Sequence, residues 1–378
     1  MKWKKVEIGQ LGDVITGNTP PRKNPELYGD FIPFIKPTDI EIDRRFTPNP
    51  EECYSELGFE KYKKSLIPKG ATCVVTIGSI GKKITQAMTN CFINQAVNAV
   101  IPNADYDADF VFYLLKNNLD KVKGLDSGTS SGRENVSKSS FSSIEVIVTK
   151  DLPTQRRIAS ILSAYDDLIE NNLKRIKLLE EKAFLRFKQM EKDLSDNEKI
   201  NLYDFADIQM GFAFKAEAFN VDGEGIPIIR IRDIPNQITK SYTTQDVDSQ
   251  YWVEKGDLLI GMDGEFHMNE WLGQRGYLVQ RVCRLRTKNV LYQSYLWQAL
   301  KEPIHYYETT ISGATVAHLG KKHLEEIFIP KPKESMKKEL EEMNIMRKLK
   351  IVLAKQNSKL REARDILLPK LMNGQIEV

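Results

Sequence analysis

The sequence predicts an α+β protein built twice over. Two mixed α/β segments are each closed by a long charged helix, and the two helices pair as a coiled coil. Three observations predict this: an internal repeat, the same change of texture in each copy, and a heptad seam in both charged stretches.

The repeat is legible from the first residues. Ile8 to Gly17 matches Leu202 to Gly211 at a shift of 194, with Asp13 on Asp207. The same shift carries Ile32–Ile40 onto Ile226–Ile234, and five of those nine positions are identical. Further along the shift falls to about 185: Lys69-Gly70 matches Lys255-Gly256, Gly78 matches Gly264, and Gln95-Ala96-Val97 matches Gln280-Arg281-Val282. Ser127-Gly128-Thr129 matches Ser312-Gly313-Ala314 at 185.

Each copy opens on a segment rich in Gly, Pro and β-branched residues, with strand-like runs such as Thr72–Ile77, Ala96–Ile101 and Asp257–Ile260. A helical stretch follows near Phe110–Asn118 or Tyr292–Leu300. Helix-start and linker signals at Leu152-Pro153, at Ser195-Asp196-Asn197 and at Pro330-Lys331-Pro332 divide the chain. The expected domains are 1–150, a helical region 151–196, 197–332, and a second helical region 333–378.

In the first helical region apolar residues step by 4 and 3: Ile158, Leu162, Tyr165, Ile169, then Asn172, then Ile176, Leu179, Ala183, Phe187 and Met190. The second runs Met346, Leu349, Leu353, then Gln356, then Leu360, Ala363, Leu367 and Leu371, at a shift of 184. Such a seam with charges elsewhere is a coiled-coil pattern. Asn172 and Gln356 are its only polar members at corresponding positions between Leu162–Phe187 and Met346–Leu371. If the helices pair antiparallel, these two amides are expected to meet near the middle and fix the register. The carboxylates Asp166-Asp167 and Glu180-Glu181 read as solvated flanks.

Composition narrows the function. At 378 residues, 41% hydrophobic and 28% charged, the chain is too long for one core and too apolar for a disordered protein. No apolar run approaches the ~18 residues of a membrane span, and Met1-Lys2-Trp3-Lys4-Lys5 leads into no signal-peptide core. The four cysteines, Cys53, Cys73, Cys91 and Cys283, form no C-x-x-C pair and read as reduced thiols of a cytoplasmic protein. A net charge of +3 permits nucleic-acid binding only if the positive charge is gathered on one face.

No catalytic or metal-binding constellation emerges. Ile77-Gly78-Ser79-Ile80-Gly81-Lys82 resembles the end of a P-loop, but Thr76 stands where the first glycine belongs and Lys83 where Ser or Thr would ligate magnesium. Polar, basic loops at repeat-equivalent positions remain. The stretch Asp126–Ser143 holds eight serines with Thr129, Ser130, Arg133 and Lys138. Ser312–Lys322, with Thr315, His318, Lys321 and Lys322, answers it in the second copy. Small hydroxyl residues and glycines let backbone N–H groups approach phosphates, and Arg, Asn and Gln read base edges. Further basic candidates for DNA contact are Arg22, Lys23, Lys36, Lys82 and Lys83 in the first copy, and Lys215, Arg230, Arg232 and Arg275 in the second.

The two-copy plan, with Leu152-Pro153-Thr154-Gln155-Arg156-Arg157-Ile158 and Tyr165–Asn172 in the middle and Arg364-Asp365-Ile366-Leu367-Leu368-Pro369-Lys370-Leu371-Met372-Asn373-Gly374 at the end, resembles the specificity (S) subunit of type I restriction–modification systems. The resemblance covers essentially the whole chain. It implies two target recognition domains, each reading half of a bipartite double-stranded DNA target, separated by an antiparallel two-helix coiled coil with a pseudo-two-fold repeat. It implies two modification (M) subunits docked on the helices and carrying S-adenosylmethionine for adenine N6 methylation. Where a system includes them, two restriction (R) subunits add ATP- and magnesium-dependent cleavage. The chain itself is then non-catalytic, without a cofactor, and sits in a prokaryotic cytoplasm. The second helix departs from the family pattern: it begins Pro332-Lys333-Glu334-Ser335, without the P-x-x-Q-x-x-I start of the first. Two other readings compete: a self-sufficient DNA methyltransferase or nuclease with a divergent site, and a coiled-coil scaffold that reads no DNA.

Overall fold

The computed structural model describes residues 3–125, 134–194, 198–311 and 317–378. Its contacts divide the chain into two compact units, one of Met1–Glu170 with Ser358–Val378 and one of Asn171–Asn357. Both long helices, α1 (Leu152–Glu191) and α2 (Lys337–Met372), therefore contribute to both units.

Within the first unit, β-branched runs build a four-stranded sheet in the order Gly12–Thr16, Val97–Pro102, Thr72–Val75, Ile84–Gln86. A second sheet runs Tyr28–Gly29, Glu52–Tyr54, Ile32–Ile35, Phe92–Ile93, and its last pair is parallel. The second unit repeats the plan with Ala206–Met210, Val282–Thr287, Leu258–Gly261, Met268–Glu270 in one sheet. Its other sheet runs Phe219–Asn220, Tyr242–Thr243, Ile226–Ile229, Gly276–Leu278, Trp252–Val253, again with one parallel pair. Each segment is closed at its ends by an antiparallel pair, Trp3–Glu7 with Glu145–Thr149 and Lys199–Asn201 with Phe328–Pro330.

Repeat-equivalent glycines sit where two backbones touch. A Cβ on Gly17 would stand 2.0 Å from the Ile93 carbonyl oxygen, and one on Gly211 2.0 Å from that of Val279. Either Gly→Ala change is expected to cost ~1–3 kcal/mol through forced backbone displacement. Urea denaturation of each variant checks this, and an unchanged midpoint would contradict it.

The core of each unit is a helix pressed onto the long helices. Asp107 caps Ala108–Lys116 by accepting from the Asp109 and Phe110 amides, and Phe110–Leu115 are all buried. They share one cluster with Ile158 and Leu162 of α1 and with Leu368 and Leu371 of α2. In the second unit Tyr295 and Leu296 pack with Phe187 and Met190 of α1 and with Met336, Leu340 and Met343 near the start of α2.

The start of α1 shows why its Pro-Thr-Gln opening matters. Asp151 accepts from the Thr154 amide (3.0 Å), and the buried Gln155 accepts from the Asp107 amide (2.8 Å) and donates to the Thr149 carbonyl (2.8 Å). α2 lacks these residues and starts instead after a single 3₁₀ turn, Glu334–Met336.

Partners across the second unit run in opposite senses, so the helices are antiparallel there: Asn172 with Asn357, Glu180 with Lys350, Arg186 with Glu342. The seam of α2 differs from the expected one. Leu349 and Gln356 are exposed, and the buried stripe carries Lys350, Asn357 and Arg364, seven residues apart. The amide of Asn172 accordingly donates to Asn357 (2.9 Å) and not to Gln356. A search for apolar seam residues passes over these three, because each is a polar side chain made buriable by a partner. Asp166 corrects the solvated-flank reading in the same way. It is buried, 2.5 Å from the Arg364 guanidinium and from the Tyr113 hydroxyl.

All four cysteines are unbridged, and burial pushes Cys91 and Cys283 up to about 12, which keeps both protonated at neutral pH. Among the described residues no helix is long and apolar enough to cross a membrane.

Candidate nucleic-acid interface

In both units one sheet end gathers three segments by the same backbone hydrogen bonds. In the first, Thr76 N–H donates to the Ala96 carbonyl (2.9 Å), Val136 N–H to that of Thr76 (2.9 Å), and Gly78 N–H to that of Glu134 (3.0 Å). In the second, Met262 N–H donates to the Arg281 carbonyl (2.8 Å), Leu319 N–H to that of Met262 (2.8 Å), and Gly264 N–H to that of Ala317 (2.9 Å). Gly78 (φ 87°) and Gly264 (φ 73°) make the turn, and among the described residues an added Cβ at either would meet nothing within 4 Å. Among the described residues the turn is thus open to a ligand, and Glu134 and Ala317, described residues of the two polar stretches, are bonded to it.

This scaffold collects part of the candidate set. In the first unit Lys82 and Lys83 follow the glycine turn, and Lys138 lies two residues past the Thr76–Val136 bond. Lys82 and Lys138 are exposed, whereas Lys83 donates to the Pro37 carbonyl (2.6 Å) and burial lowers its pKa. In the second unit His318, Lys321 and Lys322 follow the Gly264–Ala317 bond in the chain, with Lys321 3.6 Å from Glu325. Thr129, Ser130, Arg133 and Thr315 lie outside the described residues.

The remaining candidates stand on the other sheet of each unit, several beside aromatic rings. Arg22 pairs with Glu52 (2.8 Å) over the Tyr28 ring, and Lys36 pairs with Glu51 (2.6 Å). Arg275 pairs with Glu254 (2.6 Å) and stacks 3.7 Å from the Trp252 ring. Arg230 lies over Phe219, and Arg232 donates to Ser241. Among the described residues Lys83, Arg230 and Arg232 also lack an ion pair but are held by the Pro37 carbonyl, the Phe219 ring and Ser241, whereas the side chains of Lys23, Lys82, Lys138, Lys215 and Lys322 have neither kind of contact.

Known proteins connect this twice-built scaffold to a family. Residues 1–181 and 194–359 each match the profile described as the type I restriction modification DNA specificity domain. The chain belongs to that family. It carries two DNA specificity domains, one in each repeat. The specificity subunit of the type I restriction enzyme EcoBI from Escherichia coli is 34% identical over 135 residues, covering 35% of this chain and 28% of that protein. That of HindI from Haemophilus influenzae is 28% identical over 180 residues, 47% of this chain and 39% of that protein. The matches to these two thus span well under half of their length. The specificity subunit of MjaIX from Methanocaldococcus jannaschii aligns over 425 positions at 22% identity, covering 100% of this chain and 94% of its own. The crystal structure of the S subunit of a type I system from M. genitalium superposes with a TM-score of 0.54 at 19% identity, over 98% of this chain and 96% of that one. It supports the fold: mixed α/β specificity domains with long paired helices.

Seen as a pair of specificity domains, the scaffold joins the candidate His318 to two residues the sequence did not single out, Asp263 and Arg281. Asp263, Arg281 and His318 come from its three segments and touch: His318 Nδ1 is 2.5 Å and Arg281 Nε 3.3 Å from the Asp263 carboxylate. The repeat alignment did place Arg281 opposite Ala96, and that contrast of side chains at one position was the available signal.

Proposed function

We propose that this chain is the DNA-reading subunit of a type I restriction–modification complex. Each specificity domain reads one half of a bipartite double-stranded target. α1 and α2 set the distance between the halves and dock two modification subunits. S-adenosylmethionine belongs to those subunits and restriction, with ATP and magnesium, to further subunits where the source has them. The chain itself is non-catalytic. The observation that supports this best is the repeated scaffold, on which one backbone arrangement presents different side chains in the two domains. Two such modules on one chain suit two half-sites held at a fixed spacing.

Coexpression with its modification subunits, followed by mapping of methylated adenines, tests the reading. One bipartite motif is expected with the complex and no methylation with the chain alone. Replacing residues 1–150 by those of another family member is expected to change one half of the motif and spare the other. Methyl transfer by the isolated chain would overturn the proposal in favour of a self-sufficient methyltransferase. A complex that shows no selectivity for DNA would reduce the chain to a scaffold.

A further inference from the structure

Val282 N–H donates to the Val279 carbonyl (3.1 Å), closing a four-residue turn whose third residue is Arg281. Its φ is 73°, the left-handed value that this position of a type II turn normally reserves for glycine or asparagine. An arginine in that conformation is strained, and strain of this kind persists where the surroundings impose it, often at functional positions. Here the surroundings are visible. The Arg281 carbonyl is tied to Met262, and its guanidinium sits between the Asp263 carboxylate and the His318 ring, 3.4 Å from each ring nitrogen. Half of the Arg281 side chain remains exposed, next to the open turn at Gly264.

The first domain offers the comparison. The same backbone bonds there carry Ile77, Ala96 and Asn135 in place of Asp263, Arg281 and His318, and Ala96 has no positive φ. The constant part is the scaffold and the variable part is the side chains it presents. That is the arrangement two domains need to read different half-sites with one architecture.

We propose that these three scaffold positions determine sequence preference in each domain, and that Arg281 is the guanine-reading residue of the second. A guanidinium fork donates to the O6 and N7 of guanine in the major groove, and a carboxylate that fixes the fork in advance sharpens the match. Asp263 and His318 are positioning residues for that fork. The inference rests on the DNA-reading function proposed above.

The experiment uses the full chain in complex with its modification subunits and compares methylated motifs for the parent, Arg281→Gly and Arg281→Ala. Glycine relieves the φ strain, so Arg281→Gly is expected to keep or raise the thermal midpoint, which separates reading from folding. Its expected motif keeps the first half-site and spacing but loses preference for guanine at one position of the second half-site, by ~10- to 100-fold. Arg281→Ala is expected to lose the same preference. Asp263→Asn is expected to blur that position alone. A motif unchanged in Arg281→Gly would overturn the assignment while leaving the proposed function intact, and so would a change in the first half-site. A parent complex that directs no bipartite motif would overturn the proposed function itself, and this inference with it.

Discussion

Arg364→Leu is expected to destabilise the first unit by ~3–5 kcal/mol, because it leaves the buried Asp166 carboxylate without its cation. Arg364 is fully buried and Asp166 nearly so, and their contact is 2.5 Å. Burial opposes the Arg364 charge, yet Asp166 and Asp365 outweigh it and raise the guanidinium pKa. The Tyr113 hydroxyl donates to the same carboxylate, so the pair also ties α1 and α2 to the helix Ala108–Lys116. The measurement is amide hydrogen exchange, read in Ala108–Lys116 and in the first half of α1. Protection there should fall by the stated amount, while the second unit's Gln293–Ala299 keeps its own. The double variant Asp166→Leu with Arg364→Leu should recover much of the loss, since it buries no lone charge. Undiminished protection in Arg364→Leu would show that the pair carries no stability.

Asn172→Leu is expected to cost ~1–3 kcal/mol by taking away the amide hydrogen bond that the buried Asn357 accepts. Replacing both asparagines by leucine is expected to restore or exceed the parent stability, since that layer of the seam becomes apolar and leaves no amide unpaired. What that variant should lose is fidelity of register, because the Asn172–Asn357 layer is the uncharged one of three buried polar layers, beside Glu180–Lys350 and Asp166–Arg364, that distinguish one heptad alignment from the next. A slip of one heptad displaces a helix by ~10 Å, equivalent to about three base pairs along DNA at ~3.4 Å each. The methylated motif of the complex should then lose its single fixed spacing while both half-sites persist. A double-leucine complex with an unaltered spacing would mean that contacts elsewhere set the register.

Both variants lie in motifs the sequence displayed without explaining. Arg364 opens the terminal block and Asp166 belongs to the middle one, and nothing in either segment says that they meet. The antiparallel pairing was expected; the partner of Asn172 was not. Choosing Gln356 followed from a seam that used Leu349, and Leu349 proved exposed because Lys350 takes the buried position with Glu180 and Glu270 as partners. Charge and loop texture mark the DNA-contact candidates in the sequence, but neither shows which of them are already paired. The structure ties Arg22, Lys36, Lys321 and Arg275 into ion pairs with neighbouring acids and leaves Lys82 and Lys138 beside the open turn.

The sequence by itself determined the two-copy plan, the two long helices and the family. Each of these is written in patterns that neighbouring residues carry: a repeated block, an apolar step of 3 and 4, a terminal motif. Only the tertiary structure decided which polar residues are buried, at Lys350, Asn357 and Arg364 on the seam, and which half-exposed ones converge, at Asp263, Arg281 and His318 on the scaffold. The physical reason is that a charge or amide leaves water only for a partner, and here each partner comes from a segment distant in the chain.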